Sequence, residues 1–300
     1  MRSDTGTSGV DAPVRSPGIL WWALVLPPLA AICWGPFHWM IRYRWFHGDG
    51  LYEHAPLLFA FGAWVLWRDW KVFTAPPRDS SPWGLPVLAV GVLAYLAGVF
   101  LYRDSLCGFS LVPILSGLLL VDQGGARTRR LLPLVLLLLF AVPLPDQVLK
   151  AATFPMKMAS TRAGTALAGI FLDGRFLQAG TEIYFPGQAQ PLVVGDACSG
   201  MRSALALLTL GYCLAFFFGP AGPRRWILLM ASLPAAFSAN AVRIAVLCLL
   251  ASRFGVPFAA GRMHTFMGYV LYLTAFLLLL GVDFLARRFL PGKRAREEAS

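Results

Sequence analysis

A cysteine stands beside a predicted helix start in the second half of the sequence. Cys198 lies shortly before the charge-free run 203–223. The neighbouring residues whose types favour helix starts are Asp196, Ser199 and Gly200. The positive end of a helix dipole lowers the pKa of a nearby thiol and favours the nucleophilic thiolate. Arg202, four residues after the cysteine, shares its helix face and adds positive charge, so this segment suits a reactive thiol.

Three further polar side chains occur where later apolar runs approach the same side of a membrane. Arg243 lies about 26 Å along the predicted helix that starts at Trp226, at 1.5 Å per residue. Asn240 is one turn earlier on the same face, and His264 opens the last apolar run. A charged side chain within a membrane segment costs at least about 2.5–3.5 kcal/mol at mid-bilayer, which favours a functional role for Arg243.

These residue types match nucleophilic acyl transfer. Cys198 would attack a peptide carbonyl, and His264 would act as base and then as acid to the leaving amine. Arg243 would stabilise the oxyanion, and Asn240 would orient the arginine or the histidine. The simpler interpretations are a packing cysteine, an interfacial histidine and an arginine that extends towards the membrane surface.

Composition places the chain in a membrane. Hydrophobic residues make up 57% of it and charged residues only 14%, against about 25% charged residues in soluble proteins. The net charge of +11 arises from short basic clusters between apolar runs, which argues against nucleic-acid binding and for contact with membrane lipid. None of the five cysteines forms a CxxC pair, so we expect no metal and no cofactor. Cys107, near the end of an apolar run, can pair with another thiol. Cys33, Cys213 and Cys248 are predicted to be packing residues.

Eight apolar runs predict an all-α polytopic membrane protein with about eight transmembrane helices. The runs are 16–41, 54–67, 80–102, 105–121, 131–145, 203–223, 226–242 (continuing to 250) and 263–282. The predicted transmembrane domain covers residues 19–286, between a polar tail at 1–18 and a basic tail at 287–300.

Charge asymmetry orients these helices. Lys and Arg are more numerous in the loops on the side of the N-terminus than in those on the opposite side. By the positive-inside rule both termini are therefore cytoplasmic, and Cys198, Arg243 and His264 approach the outer face.

The outer loop 146–197 is the largest segment predicted to lie outside the membrane. Its first half, 150–172, predicts an amphipathic helix on the membrane surface. Its second half has two β-rich stretches, 181–185 and 191–194, around a Pro-Gly turn, which predicts a β-hairpin leading to Cys198. The edge of such a hairpin can hold an extended peptide.

At these residues the chain resembles the exosortase/archaeosortase family. The stretch Ala197-Cys198-Ser199-Gly200-Met201-Arg202-Ser203 is similar to the nucleophile motif of that family. Asn240 and Arg243 match its Asn-x-x-Arg motif, and His264 heads the last helix. Two stretches upstream of the cysteine, 143–145 and 180–187, resemble the family sequence that precedes the cysteine motif. The similarity covers roughly residues 50–285.

The resemblance implies a membrane cysteine protease or transpeptidase with Cys198, Arg243 and His264 as catalytic residues. It would cut secreted proteins at a C-terminal sorting signal made of a short motif, a transmembrane helix and a basic cluster. The implied location is the bacterial cytoplasmic (inner) membrane, with the site on the periplasmic face. The acceptor of the acyl group stays open between water, an amine and a hydroxyl.

Two alternatives remain from the sequence. A rhomboid-like intramembrane serine protease would use Ser199 as its nucleophile, although the leading glycine of that motif is missing and Arg243 would have no clear role. A non-enzymatic factor for polysaccharide export or assembly would use the arginine and the histidine to line a polar path.

Overall fold

The computed structural model describes residues 19–46, 50–195, 200–219 and 222–289. The predicted terminal tails lie outside these ranges. The helices are α1 (Ile19–Met40), α2 (Ala55–Arg68), α3 (Trp70–Thr74), α4 (Gly84–Phe100), α5 (Asp104–Leu137), α6 (Asp146–Leu172), α7 (Met201–Cys213), α8 (Pro223–Phe254), α9 (Val256–Ala260) and α10 (Arg262–Phe289). The strands are β1 (Leu177–Ala179), β2 (Glu182–Tyr184) and β3 (Leu192–Val193).

Each predicted apolar run is mainly helical over the part that the structure describes, and the mostly helical membrane fold is confirmed. Four helical segments within the described ranges are long and apolar enough to cross a bilayer: Asp104–Phe140, Met201–Phe218, Arg224–Phe254 and Phe266–Ala286. Two more apolar helices, Ala55–Arg68 and Gly84–Phe100, are shorter. The total of eight spans is not confirmed and stays a prediction.

The contacts divide the chain into two compact units. Among the described residues, the first unit contains 19–39 and 59–142, and the second contains 40–58 and 143–289. The described residues of all three predicted site motifs belong to the second unit.

In the first unit, α5 is a helix that turns back on itself. Gly124 has φ +76° and ψ 174°, which interrupts the helix near its middle. A straight helix of 34 residues would be about 51 Å long. Yet a Cβ built on Gly108, near its start, would lie 2.6 Å from Val142, just beyond its end. The two predicted runs 105–121 and 131–145 are therefore two legs of one hairpin.

In the second unit, α6, α7 and α10 pack around the long helix α8. The helices α7 and α8 are antiparallel, because Gly211 near the end of α7 contacts Ser232 in the first half of α8. The helices α8 and α10 are antiparallel as well, since Arg224 at the start of α8 forms an ion pair with Asp283 near the end of α10. The apolar residues buried between these three helices are Ala204, Leu207, Ala235, Ala236, Ala239, Leu271, Ala275 and Leu279.

The predicted amphipathic helix exists as α6, which begins at Asp146, four residues before the predicted start. It packs closely on α8, because a Cβ on Gly164 would lie 2.6 Å from Ile244. Asp146 accepts a hydrogen bond of 2.6 Å from Arg44. The location of α6 on the membrane surface stays a prediction.

The predicted hairpin is confirmed and carries a third strand. Strands β2 and β3 are antiparallel with Ile183 opposite Leu192, and β1 pairs with the other edge of β2. Ile183, Leu192 and Val194 are buried against the second half of α8 and against α9. Gln188, in the β2–β3 turn, donates to Ala251 O at 2.7 Å and accepts from Val256 N at 2.7 Å. These bonds hold the hairpin on the end of α8.

Candidate active site

The start of α7 is where the sequence predicts a helix N-terminus. Gly200 is the residue before the first helical one, Met201, and it is buried with φ +81°. This left-handed conformation favours glycine because a Cβ is strained there. Cys198 lies outside the described residues, as do its neighbours Asp196 and Ser199. Gly200 is therefore the first residue of the cysteine motif that the structure describes.

The backbone at Gly200 packs against the middle of α8. A Cβ built on Gly200 would lie 2.9 Å from Asn240 Nδ2 and 3.2 Å from Met156 Cε. Only a glycine permits this approach without moving a neighbour. The chain two residues after Cys198 is thus fixed on the Asn-x-x-Arg motif of α8, although the two motifs are 40 residues apart in sequence.

Both polar residues of the α8 motif are buried inside the second unit. Asn240 is fully buried and Arg243 is 9% exposed. They are one turn apart and lie on the same helix face. Side chains on a helix tilt towards its N-terminus, so the guanidinium of Arg243 extends towards the level of Asn240. Gly200 is therefore in contact with Asn240, and Arg243 lies one turn further along the same helix.

The first turn of α10 lies at the level of Arg243. The ion pair of Arg224 with Asp283 aligns the antiparallel helices α8 and α10 at their far ends. Position 243 is 19 residues from Arg224, and position 264 is 19 residues from Asp283, so both are about 29 Å from the ion pair at 1.5 Å per residue. The backbone of His264 thus reaches the depth of Arg243, and the placement of its side chain lies outside what the structure describes.

Arg202 lies at a cavity that sequence analysis did not find. Its guanidinium fills the space where a Cβ of Gly50 would be, and Gly50 has φ +73°. The cavity has a volume of about 300 Å³ and is lined by Gly50, Glu53, His54, Leu57, Arg202, Ala206 and Tyr272. The lining residues come from the segment before α2, the first turn of α2, α7 and α10, and all belong to the second unit.

The types and positions of these cavity residues are only weak signals of a site. Glu53 and His54 are adjacent and stand at the start of an apolar run, where an interfacial role is the simpler interpretation. Tyr272 lies in the middle of an apolar run, and its type and position are typical of a packing residue. Its closeness to Arg202 and Glu53, with which it lines the cavity, depends on tertiary packing.

The described part of the chain contains no metal-ligand group and no disulfide. No group of three or more His, Cys, Asp or Glu side chains there is arranged to hold a metal ion. Cys107, for which the sequence allowed a disulfide, is buried in the first unit and is a free thiol, as are Cys33, Cys213 and Cys248.

Comparison with known proteins identifies the family. A family model described as transmembrane exosortase (Exosortase_EpsH) matches residues 45–281. The match covers more than three quarters of the chain and includes α2, the hairpin and the α7, α8 and α10 motifs. No curated protein and no solved structure is significantly similar to the chain. The chain therefore belongs to the transmembrane exosortase family.

Proposed function

We propose that the protein is an integral-membrane cysteine transpeptidase or protease that removes C-terminal sorting signals from secreted proteins. Family membership supports a membrane transpeptidase or protease in general. The observation that argues most for this specific site is the contact of Gly200 with Asn240. It joins the described part of the cysteine motif to the arginine motif inside one compact unit.

In the proposed mechanism, the thiolate of Cys198 attacks the carbonyl carbon of the scissile peptide bond. His264 gives its proton to the leaving amine, the C–N bond breaks, and a thioester on Cys198 remains. An acceptor with an O–H or N–H group then attacks the thioester carbonyl and gives a proton back to His264. The C–S bond breaks, and the thiolate and the protonated imidazole are restored.

Arg243 is the proposed oxyanion-stabilising residue. Negative charge develops on the carbonyl oxygen in both tetrahedral intermediates, and a guanidinium already fixed in a water-poor site stabilises it without further reorganisation. The side chain of Arg243 is 9% exposed and lies one turn from Asn240. Asn240 is the proposed positioning residue for this guanidinium.

The substrate in this proposal is the tail of a secreted protein with a recognition motif, a transmembrane helix and a basic cluster. The enzyme would lie in the bacterial cytoplasmic membrane with both termini in the cytoplasm and the site on the outer face. The predicted excess of Lys and Arg on the side of the termini supports this orientation.

Co-expression with a tailed secreted substrate tests the proposal. We expect the wild type to shorten the substrate, and Cys198→Ala, Arg243→Ala and His264→Ala to leave it at full length. Matched controls are Cys213→Ala on α7, Arg253→Ala in the exposed last turn of α8 and His38→Ala on α1, all of which should retain processing. Normal processing by the three site variants would refute the proposal, and loss of processing only in Ser199→Ala would favour a serine nucleophile.

A further inference from the structure

Ser160 carries a buried hydroxyl that has no hydrogen-bond partner in the described part of the structure. The residue lies on α6 and is fully buried, and its Oγ makes no hydrogen bond. Such a hydroxyl is costly to bury, because it loses its bonds to water and gains none in exchange. Buried polar groups in native folds are almost always paired, so this one calls for a physical reason.

The other side-chain hydroxyls of α6 form hydrogen bonds within the helix. Those of Thr153, Thr161 and Thr165 each lie 2.7 or 2.8 Å from the carbonyl oxygen one turn earlier. A serine inside a helix can form the same bond. A serine that served only as a small packing residue between two helices would be expected to do so. The hydroxyl of Ser160 is instead turned away from its own helix.

Ser160 points into the corner where α6, α8 and the start of α7 meet. One turn later on α6, Gly164 faces α8, because a Cβ built on it would lie 2.6 Å from Ile244. One turn earlier, Met156 faces α7, because its Cε is 3.2 Å from a Cβ built on Gly200. Four residues rotate the direction of a helical side chain by only about 40°, so Ser160 lies between these two directions. Its side chain also tilts towards the N-terminus of α6, and hence towards the level of Met156.

This corner belongs to the candidate active site. Asn240 borders it, since its Nδ2 lies 2.9 Å from a Cβ built on Gly200. The guanidinium of Arg243 extends towards the level of Asn240 from one turn further along α8. The start of α7 carries the positive end of a helix dipole, which favours negative charge. An oxygen that becomes negative in this corner would therefore have a hydroxyl, a guanidinium and a helix N-terminus close by.

We propose that Ser160 is a catalytic residue that donates a hydrogen bond to the carbonyl oxygen of the scissile peptide bond as that oxygen becomes negative. The inference rests on the proposed function and adds a second oxyanion donor to Arg243. The hydroxyl keeps its proton throughout, and the bonds made and broken at Cys198 are those of the mechanism above. Because the hydroxyl has no other bond to give up, its bond to the oxyanion is gained in full in the transition state.

Steady-state release of the tail from a tailed secreted protein, by the full chain in vesicles, tests this role. Ser160→Ala should lower kcat at least tenfold, because loss of one oxyanion donor costs about 10²–10³-fold in kcat. KM should stay within about twofold of wild type, since the bond forms only as charge develops on the oxygen. The melting temperature should be equal to that of wild type or higher, because the variant removes a buried hydroxyl that has no partner in the fold.

Ser232→Ala is the matched control. Ser232 is also fully buried in the second unit, and its hydroxyl donates to Leu228 O at 2.9 Å. This variant loses a hydrogen bond of the fold, so its melting temperature should fall slightly while kcat stays within about twofold of wild type. Ser160→Cys provides a second variant of similar size. Because a thiol is a weaker donor than a hydroxyl, its kcat should lie between those of wild type and Ser160→Ala.

Three results would overturn the inference and leave the proposed function standing. The first is a fall in kcat of less than tenfold in Ser160→Ala. The second is a loss expressed mainly as a higher KM, since the hydroxyl would then bind the substrate before any charge develops. The third is a loss of activity together with a larger fall in melting temperature than in Ser232→Ala, because Ser160 would then support the fold. Absence of tail release by the wild type would refute the proposed function, and the inference with it.

Discussion

Replacing Gly200 by alanine should damage the site in two separable ways. The φ of +81° strains any residue with a Cβ, at a cost of about 1–2 kcal/mol. The new methyl would also lie 2.9 Å from Nδ2 of Asn240, which is fully buried and cannot move into solvent. Overpacking of this kind costs about 1–3 kcal/mol more. The total expected destabilisation is therefore about 2–5 kcal/mol.

Gly180 is a matched control that isolates the cost of backbone strain at positive φ. Gly180 has φ +65° and no atom within 4 Å of its built Cβ, so Gly180→Ala should cost only the strain of about 1–2 kcal/mol. Substrate shortening should fall at least tenfold in Gly200→Ala and stay near wild type in Gly180→Ala. The difference arises because a shift of Gly200 moves the cysteine motif relative to α8, and small displacements of reacting groups have large kinetic effects.

A double-mutant cycle with Asn240→Ala measures the cost of packing the new methyl against Asn240. Removing the amide makes room for the methyl, so Gly200→Ala should be about 1–3 kcal/mol less costly in the Asn240→Ala background. Thermal unfolding in detergent gives the stabilities, and an assay of substrate shortening gives the activities. Equal costs of Gly200→Ala in both backgrounds, or equal losses of activity at Gly180 and Gly200, would refute the contact between the two motifs.

Two further predictions concern charges away from the reacting groups. Asp283→Leu should lower the free energy of unfolding by about 3–5 kcal/mol, because the nearly buried Arg224 loses its counter-charge. The double variant Arg224→Met, Asp283→Leu should recover most of this loss in thermal unfolding. An equal loss in the double variant would contradict the buried ion pair. The Tyr184 hydroxyl donates a hydrogen bond of 2.5 Å to Glu182, which raises the pKa of the Tyr184 phenol. The contribution of this bond to folding stability is therefore present below the ordinary tyrosine pKa of about 10. It is lost as pH rises through the pKa of the folded state. Ultraviolet titration of tyrosinate should show one phenol shifting to lower pH in Glu182→Gln, and an unchanged titration would exclude the bond.

The helices and the hairpin were predictable because their patterns are local. Long apolar runs can only be helices in a membrane, and two β-rich stretches around Pro186-Gly187 specify a hairpin. Strand β1 was missed because its three residues, Leu177–Ala179, are too few to show a pattern. The two separate runs 105–121 and 131–145 predict a reversal between them, and the structure has it at Gly124, which has φ +76°.

The polar residues of the α8 motif were identifiable from the sequence, and the cavity residues were not. Asn240 and Arg243 stand out because polar side chains in an apolar helix are costly. The cavity residues Glu53, His54 and Tyr272 are distant in sequence and individually ordinary for a membrane interface or a helix. Only packing of the segment before α2 on α7 and α10 brings them to Arg202.

The most direct measurement of the central claim is capture of the covalent intermediate. Purified protein is mixed with a tailed substrate, quenched in acid, digested and examined by mass spectrometry. The account predicts the shortened substrate attached to the peptide of Cys198 through a thioester that neutral hydroxylamine cleaves, with the adduct lost in Cys198→Ala and retained in Cys213→Ala. A hydroxylamine-resistant ester on Ser199, or substrate cleavage that persists in Cys198→Ala, would contradict it.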